Sequence, residues 1–162
     1  MYLGLDLGTS GLKGILITKD QEVLGAAEHN YSVQNLATGW SEQNPSDWID
    51  ACSIVMDSLC RKFPAQMKEL RGIGISGQMH GATLLDKNGA VIRPCILWND
   101  TRSYAQAQKM DEVALFRELS GNIVFPGFTA PKVAWVKENE PENFKKIASI
   151  LLPKDFLRFW LT

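Results

Sequence analysis

The sequence is short of the features that mark several large classes of protein. No apolar run approaches the roughly twenty residues that a membrane-spanning helix needs. Asp6 interrupts the first apolar stretch almost at once, so the amino terminus does not read as a signal peptide. Cysteine is sparse: Cys52, Cys60 and Cys95 form no C-x-x-C pair and have no histidine nearby in sequence, which excludes a compact zinc-type cluster. An odd, scattered set predicts reduced, partly buried thiols of a cytoplasmic protein. An excess of charge of one sign is missing too. The formal net charge is −1, which removes the electrostatic basis for a nucleic-acid or anionic-membrane partner. Repeats, low-complexity tracts and linkers are also absent. What remains is 162 residues, 45% hydrophobic and 22% charged, the composition of one ordinary globular domain with a real core.

Alternation and turn residues predict three extended segments at the start, Tyr2–Leu5, Leu12–Thr18 and about Glu22–Tyr31. Leu3 and Leu5 lie on one face of the first, with Tyr2, Gly4 and Asp6 on the other. The intervening turns, Gly8-Thr9-Ser10-Gly11 and Lys19-Asp20-Gln21-Glu22, make two successive hairpins. Asn44 is a good helix cap and Pro45 fits the first helical position. Trp48, Cys52, Val55 and Leu59 recur at helical spacing, and Arg61 and Lys62 close that helix with the favourable sign. A buried strand is expected at Ile73–Ser76, then an extended pair at Ala82–Leu85 and Val91–Leu97 around the turn Asp86-Lys87-Asn88-Gly89. Helices are expected at Arg102–Lys109, Val113–Leu119, Pro131–Lys137 and Pro141–Lys146, a strand at Ala148–Leu152 and a last helix at Pro153–Leu161. The order is that of an α/β fold with a mixed sheet. Most of the five tryptophans sit at core spacing, whereas Trp98 adjoins Asn99-Asp100. The terminal helix carries Phe156, Phe159, Trp160 and Leu161 with nothing after it to cover them, so the chain reads as part of a longer protein.

Two glycine patterns invite a phosphate. In Asp6-Leu7-Gly8-Thr9-Ser10-Gly11-Leu12-Lys13, the glycines let backbone N–H groups turn toward an anion. Thr9 and Ser10 add hydroxyls, Lys13 adds a charge, and Asp6 at a strand end can hold Mg²⁺ through water. The same residues also build an ordinary hairpin turn with a solvent-facing Asp6, and composition alone leaves both readings open. Gly72-Ile73-Gly74-Ile75-Ser76-Gly77 matches the dinucleotide fingerprint letter for letter. Its context is wrong, because a helix precedes it and the motif is itself a strand. Its glycines are expected instead to let a helix pack closely on a central strand.

A family resemblance runs along the whole chain. DLGTSGLKGIL at Asp6–Leu16 resembles the first phosphate motif of the actin, sugar kinase and heat-shock ATPase superfamily. WSEQNPSDW at Trp40–Trp48, GISGQMHGATLLD at Gly74–Asp86, ILWNDTR at Ile96–Arg102, GNIVFPGFTAPKVAWV at Gly121–Val136 and LLPKDFLRFWLT at Leu151–Thr162 narrow it. Together they resemble the FGGY carbohydrate kinase family, and within it the xylulokinases. The resemblance implies that residues 1–162 belong to a ribonuclease-H-like amino-terminal domain, with ATP bound between it and a second domain. Asp6 would orient Mg²⁺, and Gly8, Thr9, Ser10 and Lys13 would bind the ATP phosphates. Met79 and His80 would contact the ketopentose, with Trp98, Asn99, Asp100 and Arg102 near the sugar pocket.

The implied reaction is ATP-dependent phosphorylation of a sugar hydroxyl, D-xylulose to D-xylulose 5-phosphate. The implied partners are a small-molecule sugar and ATP, and homodimerisation is left open. The family's general base lies beyond Thr162 and its adenosine pocket in the second domain, so these residues alone are expected to be inactive. Other pentuloses, polyols and sugar acids stay open as substrates, as does a non-catalytic sugar- or nucleotide-binding module on the same fold. A chaperone-type or actin-like ATPase is disfavoured by GQMHGATLLD and PGFTAPKVAWV.

Overall fold

The computed structural model describes residues 1–162. In chain order the elements are β1 (Tyr2–Leu7), β2 (Gly11–Ile17), β3 (Val23–Asn30), β4 (Glu42–Gln43), α1 (Pro45–Lys62), α2 (Pro64–Lys68), β5 (Gly72–Gly77), β6 (Thr83–Leu85), β7 (Cys95–Ile96), α3 (Tyr104–Asp111), α4 (Ala114–Ser120), α5 (Thr129–Asn139), α6 (Pro141–Phe144), β8 (Ser149–Leu151) and α7 (Pro153–Leu161). Each expected element is present within a few residues, and β4 and α2 are additional. The chain divides into two compact units. One comprises Met1–Val33, Pro45–Gln78 and Lys154–Thr162, the other Gln34–Asn44 and Met79–Pro153.

The first unit is built on a four-stranded sheet ordered β3-β2-β1-β5. β1 runs antiparallel to β2 and parallel to β5, and β2 runs antiparallel to β3. Alternation separates the two faces. Leu3, Leu5 and Leu7 are buried together with Leu12 and Leu16, while Tyr2 and Asp6 lie exposed on the other side. α1 covers the leucine face with Trp48, Ala51, Cys52, Val55 and Leu59, and its end charges, Asp47 and then Arg61 and Lys62, suit the helix dipole. The helix comes close because β2 offers it a gap. A Cβ on Gly14 would stand 2.6 Å from Val55 Cγ1 and 3.3 Å from Leu59 Cδ1.

Three expectations for this unit are corrected. The Ile73–Ser76 strand is not buried: β5 is the edge of the sheet, and Ile73 is 42% exposed. Nor do its glycines receive a helix, since a Cβ on Gly74 would meet nothing within 4 Å. That role falls to Gly14. The terminal helix is partly covered, because Phe156 and Leu157 are buried and the Phe156 ring meets Trp48 at 6.1 Å, whereas Phe159 and Trp160 stay about half exposed.

The second unit pairs β4 with β7 and β6 with β8, both antiparallel. Its core is Ala82, Leu84, Ile96 and Val136, with Ile92, Val133, Trp135, Phe144 and Ile147 packed around them. The extended pair expected at Ala82–Leu85 and Val91–Leu97 shrinks to the bridges Leu85–Val91 and Ala82–Ile96. Pro94 has no N–H to give a continuous ladder. The turn between them forms as expected: Asp86 Oδ1 accepts the Asn88 and Ala90 N–H groups at 2.8 and 2.9 Å. The tryptophans are a further correction. Of the five only Trp48 is fully buried, and Trp40 and Trp135 are half-buried around a guanidinium described below.

Trp48 is the fully buried aromatic of α1 and meets the Phe156 ring of α7. Trp48→Ala is expected to cost about 3–5 kcal/mol, read as a lower urea midpoint at unchanged m-value. A loss below about 1 kcal/mol would contradict that role.

Candidate functional site

In the first unit, β1 ends at Leu7 and β2 begins at Gly11, which leaves Gly8, Thr9 and Ser10 as the turn. The Gly8 N–H donates to the Gly11 carbonyl at 2.9 Å, and the Tyr31 N–H donates to the Ser10 carbonyl at 3.1 Å. The Gly8 carbonyl accepts the Tyr31 hydroxyl at 2.7 Å and the Gln78 side-chain amide at 3.5 Å. The carbonyls of Gly8, Ser10 and Gly11 are therefore engaged by protein donors. These donors offset carbonyl dipoles that would oppose an anion. Burial, and then the nearby Asp6 carboxylate, push the Tyr31 phenol well above its usual range, so it stays a donor.

Strand register sets the charges beside this turn. Asp6 lies opposite Lys13 on β2 and Ser76 on β5, and Lys13 lies opposite Glu28 on β3. One row across the sheet thus reads Glu28, Lys13, Asp6, Ser76. A groove of about 480 Å³ runs along this face, with Gly4, Asp6, Lys13, Ile15, Gly74 and Ser76 among its lining. No group of three or more His, Cys, Asp or Glu residues is placed to hold a metal ion. A lone exposed carboxylate beside an ammonium does not make a protein cage. It does fit a Mg²⁺ ion that keeps its waters and arrives with nucleotide phosphates.

In the second unit, Met79 is 56% exposed and His80 half-buried. The Gly81 N–H donates to the Met79 carbonyl at 2.8 Å, closing a tight turn centred on His80 at φ 62°. Gln21, in a hairpin turn, is the only other non-glycine residue with positive φ. Gly81 cannot be replaced freely, since a Cβ would stand 2.6 Å from Pro153 Cγ and 3.0 Å from Cys95 Sγ. The imidazole lies over the Phe128 ring, with centroids 4.8 Å apart. The His80 carbonyl accepts the Thr129 hydroxyl at 3.2 Å and the Lys132 ammonium at 3.0 Å. Lys132 Nζ also donates to the Gly127 and Phe128 carbonyls. Burial pushes the Lys132 ammonium down to about 8. Burial, and then the Lys132 charge, lower the His80 imidazole, which is therefore neutral near pH 7 and offers one donor and one acceptor.

The segment after β7 divides in two. Trp98 and Asn99 are exposed, whereas Asp100 and the Arg102 side chain are buried. The Asp100 carboxylate accepts the Ser41 N–H at 2.6 Å and the Arg102 N–H at 2.9 Å, and pairs with Arg102 Nη2 at 2.7 Å. Arg102 also pairs with Glu42 at 2.6 Å, and its guanidinium lies 3.7 Å from the Trp40 ring centroid and 5.0 Å from that of Trp135. Arg93 bridges Glu42 and Glu140 at 2.5 and 3.0 Å. Asp100 and Arg102 thus brace the segment that carries Trp98 and Asn99.

The structure brings Asp6, Lys13 and the Gly8–Ser10 turn together in the first unit, and Met79, His80 and the Trp98–Arg102 segment together in the second. Sequence reasoning passed over Tyr31, Gln78, Thr129 and Lys132. Gln78, Thr129 and Lys132 stand inside the motifs quoted for the resemblance, but nothing in their spacing marks them. Tyr31 ends the third extended segment, and only the register of β2 against β3 brings it to Gly8.

With this geometry in place, comparison with known proteins is informative. The model of the FGGY family of carbohydrate kinases, N-terminal domain, matches residues 1–162. A xylulose kinase of Klebsiella pneumoniae is 44% identical over 163 residues, which cover 100% of this chain and 33% of that protein. The xylulose kinase of Escherichia coli (strain K12) is 45% identical over the same length, again covering 100% of this chain and 33% of that protein. Among solved structures, a xyloylose kinase from Brucella ovis superposes with a TM-score of 0.97 at 55% identity, over 98% of this chain and 34% of that chain. The chain spans about a third of the length of these relatives. Its mixed sheet with flanking helices is the actin- and hexokinase-like fold of its structural neighbours, in agreement with the ribonuclease-H-like expectation. The chain belongs to the FGGY family of carbohydrate kinases, and its residues 1–162 match that family's N-terminal domain.

Proposed function

We propose that the protein carrying this chain transfers the γ-phosphoryl group of ATP to a hydroxyl of D-xylulose, giving D-xylulose 5-phosphate. The observation that carries this reading is the Met79–His80 turn. It presents an apolar wall and a neutral imidazole on a rigid backbone, which suits a polyhydroxylated, uncharged substrate. Support comes from relatives named xylulose kinases that match the chain through this turn. Trp98 and Asn99 extend the same sugar site, with Asp100 and Arg102 holding them from behind.

Phosphoryl transfer asks for positioning and charge neutralisation rather than covalent chemistry from the protein. The Gly8–Ser10 turn and Lys13 would hold the phosphates, and Asp6 would hold a Mg²⁺ ion that arrives with them. When bound, that ion neutralises charge on the phosphate oxygens. The general base is assigned outside residues 1–162. The carboxylates Glu42 and Asp100 are buried and already paired with Arg93 and Arg102, so they are not open to an incoming hydroxyl. All three cysteines are free, which suits a reducing compartment such as the cytoplasm.

Two substitutions in the full-length protein test this reading. Asp6→Ala is expected to lower kcat by about 10²–10³-fold, because metal orientation supplies several kcal/mol. Xylulose affinity should change little, and an active variant would remove Asp6 from the mechanism. His80→Ala is expected to raise the sugar KM by about tenfold at nearly unchanged ATP KM. An unchanged sugar KM, measured with D-xylulose and a panel of other pentuloses and polyols, would return His80 to a purely architectural role.

A further inference from the structure

Lys132 is placed where electrostatics should disfavour a cation. Its side chain is fully buried, and all three of its hydrogen-bond partners are main-chain carbonyls: those of His80, Gly127 and Phe128. It also stands in the first turn of α5, where the helix dipole opposes positive charge. Burying an ammonium whose hydrogen bonds all go to neutral dipoles is expensive, even with the Asp100 carboxylate acting on it from a distance. An ordinary packing need at this point would be met by an uncharged residue. What the ammonium does have is reach. Three N–H donors on a long stem gather the carbonyl of the left-handed residue His80 and the two carbonyls of the turn that leads into α5.

His80 has reason to need such a hold. A non-glycine residue at φ 62° in so tight a turn stores strain and persists only where its surroundings over-determine it. Its carbonyl is gripped by two donors from one helical turn, Thr129 Oγ1 and Lys132 Nζ, while its ring is backed by Phe128. Gly127, whose carbonyl also binds Lys132, lies against the Trp98 main chain, where a Cβ would stand 2.6 Å from the Trp98 oxygen. The ammonium therefore joins the two segments assigned above to the sugar.

We propose that Lys132 is a positioning residue for substrate recognition: its buried ammonium clamps the strained His80 turn, and so sets the direction of the imidazole toward the sugar, with Thr129 as the second jaw. The sugar part of this inference rests on the proposed kinase function; the clamp itself does not. With its side chain fully buried, Lys132 is not placed to touch the sugar or the nucleotide.

The test uses the full-length protein and two readouts. In Lys132→Met, the sugar KM should rise about tenfold or more, the effect of losing a charged hydrogen bond, while the ATP KM stays within about twofold. The second readout is the His80 imidazole titration followed by NMR, with the resonance assigned through its loss in His80→Gln. In the wild type it should titrate below the ordinary histidine range, and in Lys132→Met it should move upward, since the cation facing it is gone. Asp100, Arg102 and Cys95 act on Lys132 itself and are unchanged by the substitution. A folded Lys132→Met protein whose sugar KM and His80 titration both match the wild type would overturn the clamp, whatever its thermal stability. If the wild type turns over no sugar at all, the kinase reading fails, and the titration alone then decides the clamp. Should Lys132→Met not fold, Thr129→Val removes one donor from the same carbonyl and leaves the ammonium in place. It should raise the sugar KM about threefold, and an unchanged value would sink the proposal.

Discussion

A guanidinium cannot shed its charge, so burying Arg102 obliges the surrounding chain to supply carboxylates and aromatic faces, and that obligation organises the second unit. Asp100 comes from the loop after β7, Glu42 from β4, Trp40 from the segment before β4 and Trp135 from the middle of α5. Arg93 extends the set to Glu140 at the end of α5. Such a network adds little stability over a well-packed apolar core, but removing one partner strands the others and costs about 3–5 kcal/mol. Its value here lies in register. Short strands such as β4 and β7 have too few ladder hydrogen bonds to locate themselves, and the ion pairs locate them.

The first unit follows a different logic. Its order comes from leucine alternation on one sheet face and a helix that fits the gap at Gly14. The other face of the same strands carries Tyr2, Asp6, Lys13 and Ile15, and register lines up Lys13, Asp6 and Ser76 in one row beside the Gly8–Ser10 turn. One periodicity thus produces both the core and the charged row. Tyr31 and Gln78 hold this turn by occupying the Gly8 carbonyl and bring no charge to it.

What could be read from the sequence was what is written locally. Asn44-Pro45, Pro141 and Pro153 mark helix starts, alternation marks β1, and the Asp86–Gly89 turn carries its own side-chain hydrogen bonds. The motif segments led to the family, which the comparisons bear out over the full chain. The rest depends on partners far apart along the chain. Ser41 and Asp100 are separated by 59 residues, and His80 and Lys132 by 52. Trp40 and Trp135 have the spacing of core residues, and no local pattern discloses the guanidinium between them. Ile73 looks buried because its neighbours are apolar, and only the strand order reveals an edge.

The backbone at His80 has a consequence for how such a site can change over time. Positive φ admits glycine readily, asparagine, aspartate and histidine only against strain, and β-branched or bulky residues hardly at all. The turn thus narrows the alphabet before any ligand is considered. Any replacement at this position would come from a few small or polar side chains, or would first require the loop that holds them to be remodelled.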